Sequence, residues 1–374
     1  MTGLRVLHVT DASSSGVLTA VTTIARQQSE DPGFDRVVFA YVLRPDSPSH
    51  EAIEALAGPG VSVERWSDEL SARRLIELCR TLLNRLRRED FDVVHVHSSR
   101  AGLLGRWVAL ATKHRRRTIY SPHAFAFAYA HWSSRQQAVL WLLELAGLVA
   151  GRRLVLNSDS EERVARKAFP WARTAVLPNA VDVTRLRQMR RFVGDGSPVV
   201  AHVGRIAPAK APELFAEVDE LVREQVPYVT MRWFGEGDRE LLGAAGHIDV
   251  TGWLAPEELH RQLGSAAALL FTSRGEGMPM AVLEAQAMGI PVVASPVTGI
   301  VDLVQDGRNG LLADAPAELA AQLVRVLTDR ELAARLGAQA TADAAQFDQS
   351  RIAARSRDCY QVLLTDRTAV RAGR

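Results

Sequence analysis

Two successive parallel α/β lobes are what this 374-residue sequence predicts. Three observations predict them. Apolar strand-like runs alternate with helix-like runs, the alternation breaks once near Pro178–Pro198 and restarts, and a 47% hydrophobic content is ample for two cores.

Leu4 to Val9 reads as the first strand, Ser13-Ser-Ser-Gly16 as a turn and Val17 to Gln28 as a helix. Val37–Leu43 and Val61–Trp66 follow as strands, Leu70–Arg88 as a helix and Val93–His97 as a strand, with Ile119–Ser121 and Leu154–Asn157 extending the same sheet. Pro178-Asn179, the polar run Arg185 to Arg191 and Gly194-Asp-Gly196 interrupt the pattern. The second series is Val199–Val203, Tyr228–Phe234, Ile248–Val250, Ala268–Thr272 and Val292–Ala294, with helices after Ala315. The expected division is a first Rossmann-like domain over 1–178, a linker over 179–197 and a second Rossmann-like domain over 198–347. A helix over 348–366 and a tail over 367–374 complete it.

Lys plus Arg number 45 against 43 acidic residues, a balance that gives no case for a nucleic-acid partner. The charge is uneven, because Arg100, Arg106, Lys113, Arg115, Arg116 and Arg117 lie between Ser98 and Thr118 with no acidic residue. Such clusters read as solvated faces, with an anionic membrane surface or an acidic acceptor as the functional alternative. Cys79 and Cys359 form no metal or redox motif, which fits a reducing cytoplasm. The N-terminus lacks the pattern of a signal peptide, and the apolar run Ala138 to Ala150 contains Glu144 and falls short of the ~18 to 20 residues that span a bilayer. Ala124 to Ala150 is expected to serve core packing, with an interfacial surface as the alternative. The expected location is cytoplasmic, with a peripheral position at the inner face of the membrane as an extension.

The segment Ser273-Arg-Gly-Glu-Gly-Met-Pro-Met-Ala-Val-Leu-Glu284 carries the strongest chemical signal. Pro279 has a fixed φ and no amide proton, so helix is expected to begin there and to stop at Gly289-Ile-Pro291. Glu276 then lies on a loop and Glu284 just over one turn inside the helix. Gly277 permits close backbone approach, and the free amides of the helix N-terminus attract an anion such as a diphosphate. Two carboxylates beside that site suit sugar and ribose hydroxyls. Upstream, Arg205 and Lys210 follow the strand Val199–Val203, and both suit phosphate oxygens.

Taken with Phe91-Asp-Val-Val-His-Val-His97, Ser98-Ser-Arg-Ala-Gly-Leu-Leu-Gly105-Arg106, Ser121-Pro-His123 and Val176-Leu-Pro-Asn-Ala-Val-Asp182, the chain resembles the retaining glycosyltransferases of family 4 over nearly its whole length. The resemblance implies the GT-B fold, two Rossmann-like domains facing across a cleft. It implies that Arg205 and Lys210 neutralise the donor diphosphate, that Glu284 holds ribose hydroxyls and that Glu276 holds sugar hydroxyls near the reaction centre. Gly277, Met278 and Pro279 would shape the sugar pocket, Trp253 and Leu254 would neighbour the base, Gly16 would approach the diphosphate and His123 would lie by the donor sugar and acceptor. Ala211 stands after Lys210, where family members commonly have Gly.

The implied reaction moves a hexose or N-acetylhexosamine from a nucleotide sugar, UDP-linked by expectation, to a lipid-linked or cell-surface glycan. Soluble natural products are the alternative acceptors. A sugar-nucleotide epimerase and a noncatalytic sugar-nucleotide-binding protein are the readings of another class. No metal or other cofactor is expected. Asp90-Phe-Asp92 reads as a turn rather than a metal motif, and His95 and His97 share a strand face without an indicated third ligand. Gly235-Glu-Gly237 lacks the further Gly of a dinucleotide fingerprint.

Overall fold

The structure, a computed structural model, describes residues 3–68, 72–191, 196–243 and 247–365. The expected tail over 367–374 and the start of the expected helix at Leu70 lie outside these residues. The chain forms two compact units, Met1–Ala128 with Trp132–Ala180 and Gln349–Arg374, and Tyr129–His131 with Val181–Asp348.

The first unit is built on β1 (Leu4–Thr10), α1 (Ser15–Glu30), β2 (Phe34–Leu43), α2 (His50–Ala57), β3 (Val61–Asp68), α3 (Ala72–Arg88), β4 (Val93–His97), α4 (Ser99–Leu110), β5 (Thr118–Ser121), α5 (Ser134–Ala150), β6 (Arg153–Leu156), α6 (Asp159–Ala168) and β7 (Arg173–Val176). Its strands pair in parallel in the order β3-β2-β1-β4-β5-β6-β7. Helices cover both faces, so central strands carry near-continuous apolar runs, and Val6, Leu7, Val93, Val94 and Val96 are fully buried. Two expectations change here. The helix α1 begins at Ser15, so Gly16 lies in its first turn rather than in the preceding turn. Arg106, expected on a solvated face, is 2% exposed. It donates to the Gly102 carbonyl (2.8 Å), faces Glu144 at 3.3 Å and stacks on Tyr120, whose hydroxyl donates to Glu144 (2.8 Å). A Cβ at Gly147 would fall 2.0 Å from the Arg106 guanidinium, so the small residues of α4 and α5 make room for this pair.

The second unit contains α7 (Val183–Met189), β8 (Val199–Val203), α8 (Pro212–Arg223), β9 (Thr230–Phe234), β10 (Asp249–Val250), α9 (Pro256–Leu263), β11 (Ala268–Phe271), α10 (Met280–Ala287), β12 (Val292–Ala294), β13 (Leu311–Leu312), α11 (Pro316–Thr328) and α12 (Arg330–Ala344). The parallel order is β10-β9-β8-β11-β12-β13. Residues 181–191 fold with this unit, where Arg190 after α7 donates to the carbonyls of Gly264 and Ala266. The last helix, α13 (Ile352–Leu364), packs in the first unit: Ile352, Tyr360 and Leu363 join the core of Val6, Val21 and Ile24.

Among the described residues no helix is long and apolar enough to cross a membrane. The expectation of core packing for α5 is met only on one side. Glu144 and Leu148 are buried, whereas Val139, Leu142, Leu143 and Val149 are about half or more exposed, at 57, 55, 48 and 63%.

Candidate active site

In the second unit, β8 delivers its loop toward the one before α10. Lys210 ends a single 3-10 turn, Pro208–Lys210, and Ala211 follows in the left-handed region with φ 48°. That is the position where Gly is common, and Ala tolerates it at a cost of about 1–2 kcal/mol. Thr272 holds the turn by donating from Oγ1 to the Lys210 carbonyl at 2.9 Å. Lys210 Nζ lies 2.5 Å from Glu276 Oε1 and 5.1 Å from the Phe271 ring centroid. Both ends of the pair are largely buried.

The loop before α10 is fixed at close quarters. The Glu276 amide donates to the Thr298 carbonyl at 3.1 Å, and Gly299, with φ 81°, leaves no room for a Cβ, which would fall 2.6 Å from the Gly277 carbonyl oxygen. Pro279 is the N-cap of α10, one residue before its first helical position, and all eight residues of the helix are buried. The first amides of α10 therefore adjoin Met278 and the Glu276 loop. Glu284, buried inside α10, faces His260 Nε2 of α9 at 3.2 Å, and the other ring nitrogen of His260 is buried without a partner. Arg205 lies over Trp253 at 5.9 Å. The structure thus pairs Lys210 with Glu276 and Arg205 with Trp253. Leu254 is partly buried beside Trp253 in sequence. His260 was not legible as a site residue, since nothing in its sequence neighbourhood ties α9 to α10.

Behind Lys210, His202 is buried between Trp233 (ring centroids 3.8 Å) and Phe271 (5.1 Å). Burial, helped by the Lys210 charge, pushes its pKa down to about 3, so it is a neutral ring.

His123 belongs to the first unit, as does Gly16. His123 and Ala124 both have positive φ, 56° and 98°. The buried carboxylate of Glu161 accepts from the amides of Ala124 and Asn157, each at 2.7 Å, and so clamps this turn. Glu161 is a positioning residue that the sequence hid in an ordinary acidic first turn of α6. Parallel register sets His8 beside His95, and His97 shares their face. His8 supplies the third histidine that spacing alone did not indicate, for the ring nitrogens of His8, His95 and His97 lie within 4.8 Å of one another. Every one of those nitrogens already has a hydrogen-bonding partner, among them Gln28, Tyr360, Ser121 and His123. As they stand, the three buried rings form one hydrogen-bonded network, and burial lowers the pKa of each. Asp90 and Asp92 are likewise occupied, Asp90 by Lys113 and Arg117, Asp92 by the Arg5 amide.

The Glycosyltransferase Family 4 description matches residues 14–185 and the Glycosyl transferases group 1 description matches residues 197–329. The chain is 28% identical over 276 residues to the Escherichia coli UDP-Gal:alpha-D-GlcNAc-diphosphoundecaprenol alpha-1,3-galactosyltransferase, covering 67% of this chain and 70% of that one. It is 29% identical over 315 residues to the D-inositol 3-phosphate glycosyltransferase of Nocardia farcinica, covering 76% and 69%. Among solved structures, Anabaena HepE in complex with UDP and glucose superposes with a TM-score of 0.74 at 20% identity, covering 96% of this chain and 99% of that one. The sucrose-phosphate synthase of Thermosynechococcus elongatus gives a TM-score of 0.79 at 18% identity, with the same coverage. The chain belongs to the family 4, group 1 glycosyltransferases of GT-B fold, enzymes that use a nucleotide sugar.

Proposed function

We propose that this enzyme transfers a hexose or N-acetylhexosamine from a UDP-sugar, with retention and without a metal, to a hydroxyl of a lipid-linked or cell-surface glycan. The observation that carries the donor half is the Lys210–Glu276 contact of 2.5 Å, set beside the N-terminus of α10. An ammonium has three donors, so Lys210 can hold Glu276 and a phosphate oxygen together. As the glycosidic bond breaks, negative charge grows on the departing diphosphate. Lys210, Arg205 and the amides of Met278 and Met280 to Val282 stabilise that charge more in the transition state than before it. Glu276 accepts from sugar hydroxyls, Glu284 from the ribose, and the Trp253-Leu254 stretch neighbours the base. The acceptor hydroxyl attacks on the face the diphosphate leaves, its proton passing to a phosphate oxygen, so no side chain acts as nucleophile. The relatives' names support UDP and a lipid-linked acceptor: one acts on a diphosphoundecaprenol sugar, and HepE binds UDP-glucose.

We further propose a cytoplasmic enzyme that meets the inner membrane face through the first unit. Exposed Val139, Leu142, Leu143 and Val149 on α5 and Trp107 on α4 form apolar surface. An apolar groove of about 290 Å³ runs between α3 and α4 past Ile76, Leu83, Leu104 and Val108, with Arg80 on its wall. Apolar area flanked by arginine suits an interface rich in anionic lipid.

The test is calorimetric binding of UDP and GDP, with and without EDTA, to the wild type and Lys210→Ala, followed by UDP-sugar transfer to polyprenyl-linked acceptors. Metal-independent UDP binding lost in the variant is the expected result. Failure to bind either nucleotide would sink the donor assignment, and donor conversion without acceptor would favour an epimerase.

A further inference from the structure

The hydrogen-bond path that ends at His123 begins at a carbonyl of α13, and its direction is fixed at that end. The Ala353 carbonyl can only accept, so Ser356 donates its one hydroxyl proton there at 2.8 Å. Ser356 Oγ must then accept from the Gln28 side chain at 2.9 Å, which makes that Gln28 atom the nitrogen. Gln28 Oε1 consequently faces His8 Nε2 at 2.8 Å and demands a proton from it. A neutral imidazole has one N–H, so His8 Nδ1 accepts from His97 Nε2 at 3.0 Å, and His97 Nδ1 accepts from His123 Nε2 at 3.0 Å. Burial keeps the rings neutral, lowering His8 and His123 to about 4 and His97 well below its usual value.

A competing arrangement exists next to His123. Asn157 lies within hydrogen-bonding reach of its ring, and its Oδ1 has no other partner, so a proton on His123 Nδ1 would find an acceptor there. Moving that proton alone would set two lone pairs against each other between His123 and His97. Inverting all three rings would set His8 Nε2 against Gln28 Oε1. Either leaves a buried hydrogen bond of the relay unmade, at about 1–3 kcal/mol, while the Nε2–H tautomer leaves the Asn157 Oδ1 bond to be made by a ligand hydroxyl.

We propose that Gln28, His8 and His97 form a tautomer relay, anchored on the Ala353 carbonyl, that holds the His123 proton on Nε2 and presents its Nδ1 lone pair, beside Asn157 Oδ1, to a hydroxyl-bearing ligand. Gln28, His8 and His97 are positioning residues and touch no substrate. The relay gives α13 a chemical role besides packing, because one of its carbonyls orders a ring three imidazoles away. The relay stands on the first unit alone, while its use in sugar transfer rests on the proposed function.

The experiment is long-range proton–nitrogen NMR at pH 7.5 on the full chain labelled with nitrogen-15 in histidine. His123 is expected as the Nε2–H tautomer in the wild type and in His97→Gln, whose amide can accept from His123 and donate to His8. It is expected to shift toward the Nδ1–H tautomer in His97→Leu and in Gln28→Met, and the second variant serves if the first does not fold. An Nδ1–H tautomer in the wild type overturns the relay, as does an unchanged Nε2–H tautomer in Gln28→Met. The readout is a tautomer rather than turnover, so absence of sugar transfer in the wild type would count against the proposed function alone.

Discussion

Lys210 Nζ and Glu276 Oε1, 66 positions apart in sequence, meet at 2.5 Å on the loops that follow β8 and β11, the central strands of the second sheet. The contact neutralises a carboxylate that would otherwise repel a diphosphate. On the proposed donor assignment, each residue supports ligand binding partly through the other.

That coupling has a sign that can be measured. Lys210→Ala should lower kcat by about 10²–10³-fold, the usual scale for losing one preorganised charge at a developing anion. It also leaves Glu276 unpaired. UDP should consequently bind the double variant Lys210→Ala, Glu276→Gln more tightly than Lys210→Ala alone. Equal or weaker binding by the double variant in calorimetry would mean that the two side chains do not act as a unit.

His260 faces Glu284 at 3.2 Å and touches no group assigned to the reaction centre. Its removal should act on ground state and transition state alike. His260→Ala is expected to raise KM for the UDP-sugar about 10-fold or more, from the ~1.5–3 kcal/mol of a hydrogen bond to a charged group, and to leave kcat within a small factor. Steady-state kinetics checks the split, and a fall in kcat at unchanged KM would refute the assignment.

Much of the architecture was legible because parallel strands buried on both faces write continuous apolar runs. Val93–His97 and Val199–Val203 were readable to the residue, the first bounded by Asp92 and Ser98, the second by Pro198 and Gly204. The helix α4 was not, since its arginines read as a solvated cluster, and only the space that Gly147 and Gly151 leave for its side chain shows Arg106 to be buried. The exposed side of α5 escaped for a different reason: an apolar residue carries no mark of whether anything covers it. Lys210, Glu276 and Glu284 were visible as chemistry near predicted strand and helix ends. His8, Glu161 and His260 were invisible as partners, because only sheet register and helix packing bring them to His97, Ala124 and Glu284.

The Arg106–Glu144 pair provides a test of stability apart from chemistry. Burial raises the Glu144 carboxyl and, with Glu144 beside it, holds the Tyr120 hydroxyl well above its usual value, while Arg106 offsets part of the effect on Glu144. Arg106→Ala strands a buried carboxylate and should cost about 3–5 kcal/mol. Replacing the whole set, Arg106→Met with Glu144→Leu and Tyr120→Phe, should recover most of that loss, because no polar group is then left unpaired. Chemical denaturation measures both, and a triple variant as unstable as Arg106→Ala would show that packing rather than charge sets the cost.

Acid should attack the first unit before the second. Burial lowers His8 and His123 to about 4, and His95 and His97 well below the ordinary 6.5, all four in one network beneath β1 and β4. Above pH 6.5 these rings are neutral whether the chain is folded or not, and the stability they permit is fully present. Between 6.5 and about 4 the unfolded chain takes up protons that the folded chain refuses, so stability falls as pH falls. The second unit has His202, lowered to about 3, as its one fully buried ring of this kind among the described residues. Burial also lowers His114 in the first unit and His131 in the second, so five depressed rings against two make the slope steeper in the first unit. Hydrogen exchange across pH 7 to 4.5 should show protection in β1 and β4 lost ahead of β8 and β9, and His8→Phe should shallow the decline if the unit tolerates the ring. Loss of protection in both sheets at the same pH would mean that the units unfold as one, and that the histidine network does not set the acid limit.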